Sequence, residues 1–252
     1  MTGCPLPVPS ANWALFLDID GTLLDIADTP TAVVVPPELP ALLKGLLKVF
    51  DNAVALISGR SLNDIDRLFA PLKLPAAGQH GAEIRLVGGA VENQPVSGGD
   101  LTALLPDLTA FVADRPGLLL EDKGRTIAVH YRHAPQYQPE IVDFLGNLVG
   151  DQSKTVETIG GHRVFEIKPR AFNKGTAVAR LMLASPFAGR CPVFIGDDRT
   201  DEDGFALVRA EGGHAIRVGL DGLSIAETRI AGPDETRAWL ANVRDTLTHD
   251  AG

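Results

Sequence analysis

The sequence predicts an α/β fold, with a parallel sheet carrying helices on both faces and an α+β segment interrupting it. Three observations predict it. Short apolar runs alternate with stretches of helical period in the first hundred residues and again after about residue 171. Several of those runs stop abruptly at polar clusters containing glycine. Between Leu101 and Arg170 the rhythm changes to helix, hairpin, helix, hairpin.

After a Pro-rich lead, Trp13 to Leu17 reads as a buried strand that ends at Asp18-Ile19-Asp20-Gly21-Thr22. Leu39, Leu42, Leu43, Leu46, Leu47 and Phe50 form the apolar stripe of a helix over 38–50. Ala53 to Ile57 is a second buried strand, entering Ser58-Gly59-Arg60. Ser61 caps a helix through about Phe69. A strand near Pro75 to Ala77 leads to Gly78-Gln79-His80-Gly81, and Ile84 to Val91 forms a hairpin turned by Gly88-Gly89.

The interrupting segment has helices over Leu101–Ala113 and Gln136–Val149. Its strands cover Leu118–Glu121, Arg125–Arg132, Thr155–Thr158 and Arg163–Lys168. Four strands and two helices suffice for a small layer with its own core, so two domains are expected: a discontinuous one over 1–100 and 171–252, and an insertion over 101–170. The first rhythm resumes with a helix from Lys174 to Ala184, a strand Val193–Ile195 entering Gly196-Asp197-Asp198, and a helix near Glu202 to Val208. A strand Ala215–Val218 and a closing helix Thr236–Leu247 follow.

The 23 Lys and Arg against 32 Asp and Glu give a net charge of -9, which argues against nucleic acid or an anionic membrane as the partner. An anionic ligand would need local cations. The two cysteines show no metal-ligand spacing or disulfide framework, and no apolar run is long enough to span a bilayer, so a cytoplasmic protein is expected.

Asp18 and Asp20 lie two apart, on one side of an extended segment. Alone, that pair also fits a solvated turn. Ser58 and Asp197-Asp198, however, follow two further buried strands, and Lys174 opens an intervening helix. Capping explains any one of these singly; it does not explain three strand ends offering carboxyl or hydroxyl groups together.

The order Asp-x-Asp-Gly-Thr, Ser58, Lys174 and Gly-Asp-Asp resembles the four motifs of the haloacid dehalogenase-like phosphohydrolases. That resemblance implies a Rossmann-like core and an aspartyl-phosphate reaction. Asp18 would be nucleophile and Asp20 acid and base, while Ser58 and Lys174 would hold the phosphoryl group. Mg2+ would be held by Asp18, Asp197 and the backbone carbonyl of Asp20, offsetting repulsion between a carboxylate and a phosphate dianion. Asp198 and Asp201 would orient the ligands, although Asp201 also fits a helix start.

A finer resemblance rests on Ser58-Gly59-Arg60, His80-Gly81-Ala82-Glu83, Val129-His130-Tyr131-Arg132, Glu166-Ile167-Lys168-Pro169 and Gly196 through Asp203. These are similar to the trehalose-6-phosphate phosphatases, and the inserted segment would then be their α+β cap. The resemblance implies that Glu121, Lys123 and Glu166 hydrogen-bond sugar hydroxyls and that Arg132 adds a cationic contact near the phosphate. Other readings stay open: 121–123 as a charged hairpin tip, and Glu166 as a solvent-facing strand residue. Arg60 either binds phosphate or pairs with a surface carboxylate, and His80 either contacts substrate or braces a loop. The expected working form is a monomer acting on a small sugar phosphate. Rival readings are a phosphatase of sucrose 6-phosphate or mannosyl-3-phosphoglycerate, a phosphomutase, and a non-catalytic sensor. One oddity stands out: Gly204 sits inside the helix after the Asp-rich motif, where a better helix former is expected.

Overall fold

The computed structural model describes residues 4–27, 29, 31–94, 101–150, 154–161 and 163–250. In chain order it begins β1 (Trp13–Leu17), α1 (Leu39–Val49), β2 (Val54–Ile57), α2 (Leu62–Phe69), β3 (Ala76–Gly78), β4 (Glu83–Arg85) and β5 (Val91–Asn93). Next come α3 (Leu105–Ala113), β6 (Leu119–Asp122), β7 (Ile127–His130), α4 (Gln138–Val149), β8 (Val156–Gly161) and β9 (Val164–Pro169). The chain closes with α5 (Lys174–Met182), β10 (Cys191–Gly196), α6 (Glu202–Ala210), β11 (His214–Val218), β12 (Thr228–Ile230) and α7 (Pro233–Asp250). Two compact units result: Met1–Asn93 with Asn173–Gly252, and Gln94–Phe172. The boundary expected after residue 100 falls beside 95–100, outside the described residues.

The first unit is built on a sheet of order β12-β11-β10-β1-β2-β3-β4-β5. The strands from β12 to β3 are parallel, while β4 and β5 turn back antiparallel as an edge hairpin. All five residues of β1 are buried, as a central parallel strand covered on both faces requires. Helix α1 buries Leu39, Leu42, Leu43 and Leu46 on one stripe. The Ser61 hydroxyl accepts the Asp64 N–H at 3.1 Å and so fixes the start of α2. β12 escaped the sequence reading because three residues carry too little periodicity; it is a strand because Thr228 and Ile230 pair with Ile216 and Val218 of β11.

Gly204 corrects an expectation drawn from helix propensity. A Cβ at that position would come 2.7 Å from the Phe194 ring on β10, so the glycine lets α6 lie directly on the sheet.

The second unit is an antiparallel sheet of order β6-β7-β9-β8. Its register pairs Glu121 with Ala128 and Ala128 with Glu166, which puts those three on one face. The opposite face, with Ile127, Val129, Val156 and Ile167, packs with Leu108 and Phe111 of α3 and Ile141 and Leu145 of α4 as a separate core. The second strand is shorter than expected, because Arg125 and Thr126 belong to the turn before β7 and Tyr131 and Arg132 lie beyond it. No helix among the described residues is long and apolar enough to cross a membrane.

Candidate active site

Strand register brings the three polar clusters of the first unit together. Leu17 lies opposite Leu56 of β2 and Ile195 of β10, so the residues just beyond these strands emerge side by side at one sheet edge. Asp18 continues the ladder by donating its N–H to the Ile195 carbonyl at 3.0 Å.

Lys174 ties the clusters together. It is the first residue of α5, a helix fixed by a capping box between Asn173 and Thr176. Its ammonium group lies 2.7 Å from Asp18 Oδ1 and 2.6 Å from Asp201 Oδ1. Burial alone would lower the Lys174 pKa, but Asp18, Asp201 and Asp198 outweigh it and hold the amine well above its ordinary value. Lys174 is therefore a fixed buried cation.

Asp18, Asp197 and Asp201 offer carboxylate oxygens that all lie within 4.8 Å of one another. Asp201 is fully buried and its oxygens are engaged: Oδ2 accepts the N–H groups of Asp197 and Asp198 at 3.0 and 2.9 Å, and Oδ1 accepts from Lys174. It shapes the loop that presents Asp197. Asp18 differs, because its Oδ2 is buried without a hydrogen-bond partner among the described residues. Such an atom costs about 1–3 kcal/mol in an apolar setting, and a cation would satisfy it. An all-oxygen donor set suits a hard divalent ion, so these residues fit a metal.

The electrostatics agree. Burial pushes the Asp18 carboxyl up to about 7, with Lys174 opposing and Asp197 and Asp198 adding. Burial also pushes Asp197 up to about 7, helped by Asp201 and Asp198. Burial raises Asp201 well above the usual carboxylate range despite Lys174. Asp198 goes the other way: burial opposes its charge, but Lys174 and the Thr200 hydroxyl and N–H, at 2.6 and 2.8 Å, hold it low. Crowded carboxylates of this kind are relieved by a cation.

Two glycines make room. Gly21 has φ +82°, and a Cβ there would lie 2.1 Å from Asp197 Oδ2. At Gly196 a Cβ would lie 2.2 Å from the Asp201 carboxyl carbon.

Ser58 is buried, and its hydroxyl oxygen accepts the Arg60 N–H at 3.1 Å, which leaves its proton for a ligand. Arg60 grips Asp20 with two bonds of 2.6 Å, so of its two expected roles the structure displays carboxylate pairing. His80 adopts φ 57° and donates its backbone N–H to the Ser58 carbonyl at 3.0 Å, with its ring beside Gly59.

In the second unit, Glu166 is buried, which overturns the solvent-facing alternative. Its Oε1 accepts the Thr126 hydroxyl at 2.6 Å and the Lys123 ammonium at 3.2 Å. Glu121 meets His130 at 2.8 Å, and that hydrogen bond holds its carboxyl below the ordinary range although burial opposes it. Arg132 is half-buried in the turn after β7. Thr126 and His130 were given no site role from the sequence, because only strand register reveals that they face these carboxylates. Arg217, which donates to the Asp198 carbonyl at 2.8 Å, was missed for the same reason.

Residues 16–225 match the family model described as Trehalose-phosphatase. A probable trehalose-phosphate phosphatase of Sinorhizobium fredii (strain NBRC 101917 / NGR234) is 47% identical over 208 residues, covering 82% of this chain and 78% of the relative. The trehalose-6-phosphate phosphatase of Escherichia coli (strain K12) is 39% identical over 241 residues, covering 96% and 90%. A crystal structure of a trehalose-6-phosphate phosphatase related protein superposes with a TM-score of 0.79 at 26% identity, over 94% of this chain and 99% of the other. The fold is also shared with a haloacid dehalogenase-like hydrolase from B. subtilis, with a TM-score of 0.64 at 15% identity over 94% of this chain and 99% of the other. With a matched model spanning most of its length, the chain belongs to the trehalose-phosphatase family.

Proposed function

We propose that the chain hydrolyses trehalose 6-phosphate to trehalose and inorganic phosphate, the final step of trehalose biosynthesis, by passing the phosphoryl group through Asp18. The supporting observation is the Asp18 carboxylate itself, with one oxygen held by Lys174 and the other buried beside Asp197 and Asp201 with no hydrogen-bond partner among the described residues. An Asp18 oxygen attacks phosphorus, the bond from phosphorus to the sugar oxygen breaks, and Asp20 gives that oxygen a proton. Water then attacks the phosphorus of the aspartyl phosphate and passes a proton to Asp20. Phosphate leaves and Asp18 is restored. The Ser58 hydroxyl donates to a phosphoryl oxygen, and Lys174 offsets negative charge on the transferring group.

Asp18, Asp197 and the backbone carbonyl of Asp20 would hold Mg2+, which when bound offsets the repulsion between a carboxylate and a phosphate dianion. Asp198 and Asp201 act through hydrogen bonds that set the Asp197 loop. The second unit serves as the specificity domain, where Glu121, Lys123 and Glu166 pair with sugar hydroxyls and Arg132 supplies a cationic contact. Two free thiols, Cys4 and Cys191, fit the reducing cytoplasm, where we place the protein, acting as a monomer.

The test is phosphate release from trehalose 6-phosphate with Mg2+ and with a chelator, for the native chain and Asp18→Asn. Turnover should require Mg2+ and vanish in Asp18→Asn with folding intact. Near-native turnover in that variant removes Asp18 as nucleophile.

A further inference from the structure

Arg60 has no assigned part in the chemistry above, yet it is held more firmly than a surface arginine. Its Nε donates to Asp20 Oδ2 and its Nη2 to Asp20 Oδ1, both at 2.6 Å. The arginine side chain is 11% exposed and the aspartate 36%, so the guanidinium is the buried, fixed member of the pair. Its backbone is anchored as well. The Arg60 N–H donates to Ser58 Oγ at 3.1 Å, and the Arg60 carbonyl accepts the Gln79 N–H at 2.8 Å. Behind that carbonyl there is no slack, since a Cβ on Gly78 would approach it to 2.9 Å.

We propose that Arg60 is the positioning residue for Asp20, fixing the plane of its carboxylate relative to Ser58 and therefore to the phosphoryl group. The proposal rests on the acid and base role proposed for Asp20. Two parallel hydrogen bonds from a planar fork define the orientation of a carboxylate, which a single bond from an ammonium does not. Each carboxylate oxygen accepts the guanidinium through one lone pair and keeps the other for proton exchange. Asp20 is thus aimed without being used up. The Ser58-Gly59-Arg60 loop then holds the phosphoryl group through Ser58 and orients the proton donor through Arg60, so one short turn sets both ends of the breaking bond.

The experiment compares native enzyme, Arg60→Ala, Arg60→Lys and Asp20→Asn, each with Mg2+, on trehalose 6-phosphate, phenyl phosphate and p-nitrophenyl phosphate. The two aryl esters have nearly the same shape and differ in the basicity of the leaving oxygen, so only the poorer leaving group needs a well-placed proton. The ratio kcat/KM reports steps through cleavage of the ester. Arg60→Ala and Arg60→Lys should lower kcat/KM about ten- to hundredfold on trehalose 6-phosphate and phenyl phosphate. On p-nitrophenyl phosphate the loss should stay below about threefold. Asp20→Asn should show the same leaving-group pattern more strongly.

Equal losses on all three esters from Arg60→Ala, with Asp20→Asn still leaving-group dependent, overturn the positioning role alone and point to phosphate binding. If Asp20→Asn itself lacks leaving-group dependence, the acid role of Asp20 falls and this proposal with it. Arg60→Lys keeps charge and bulk, and its melting temperature separates misfolding from misorientation.

Discussion

Gly21 and Asp197 approach so closely that a single added carbon on the glycine would sit 2.1 Å from the carboxylate. The φ of +82° adds strain for any L side chain. Gly21→Ala should therefore displace Asp197 and lower kcat about a hundredfold or more, the scale at which roughly 1 Å of misplacement acts. Circular dichroism should show an intact fold. The check is kcat together with the Mg2+ concentration for half-activity, which should rise.

The raised carboxyls set a pH dependence whose sign follows from linkage. Burial pushes the Asp18 and Asp197 carboxyls up to about 7 from an ordinary 3.8, so between those values the folded chain holds protons that the unfolded chain has lost. Their contribution to stability is complete below about 4 and disappears as pH rises through 7. Metal-free protein should lose melting temperature across that window. Because the proposed cation site needs both groups ionised, Mg2+ should restore more at pH 8 than at pH 6. Thermal melts in chelator and in Mg2+ at several pH values test this, and an Mg2+ effect that shrinks with rising pH contradicts it.

Glu166 sits in a hydrogen-bonded set with Thr126 and Lys123, all within the second unit. Glu166→Ala should lower kcat/KM for trehalose 6-phosphate about ten- to hundredfold, because it removes the carboxylate proposed to read the sugar and the Lys123 and Thr126 hydrogen bonds to it. p-Nitrophenyl phosphate, which has no sugar to read, should be cleaved nearly as before. Parallel losses on both substrates reject the sugar-reading role.

Helix propensity alone says that Gly204→Ala should stabilise the protein by about 1 kcal/mol. Contact with Phe194 reverses the sign: inserting a methyl 2.7 Å from that ring should destabilise by about 1–3 kcal/mol. Urea unfolding measures it directly.

Much of the sheet was legible, because buried parallel strands such as Trp13–Leu17 are continuous apolar runs that end where polar residues begin. Asp18, Ser58, Lys174 and Asp197 were legible for a related reason: each follows a strand or opens a helix, so motif and secondary structure coincide. Pairings were not. Arg60 with Asp20 and His130 with Glu121 are relations across strands and loops, fixed by register and rotamer, which a linear pattern does not encode. Gly204 shows the same limit in packing, since its fitness depends on a ring ten residues earlier on a neighbouring element.

Among the described residues, each unit buries apolar residues in a cluster of its own. On the proposed sugar-reading role, mutations around Glu121 and Glu166 can retune which ester is accepted while the apolar core under Asp18 stays untouched. On that reading the chain is modular in an evolutionary sense: sugar preference is free to drift while the phosphoryl-transfer apparatus stands still.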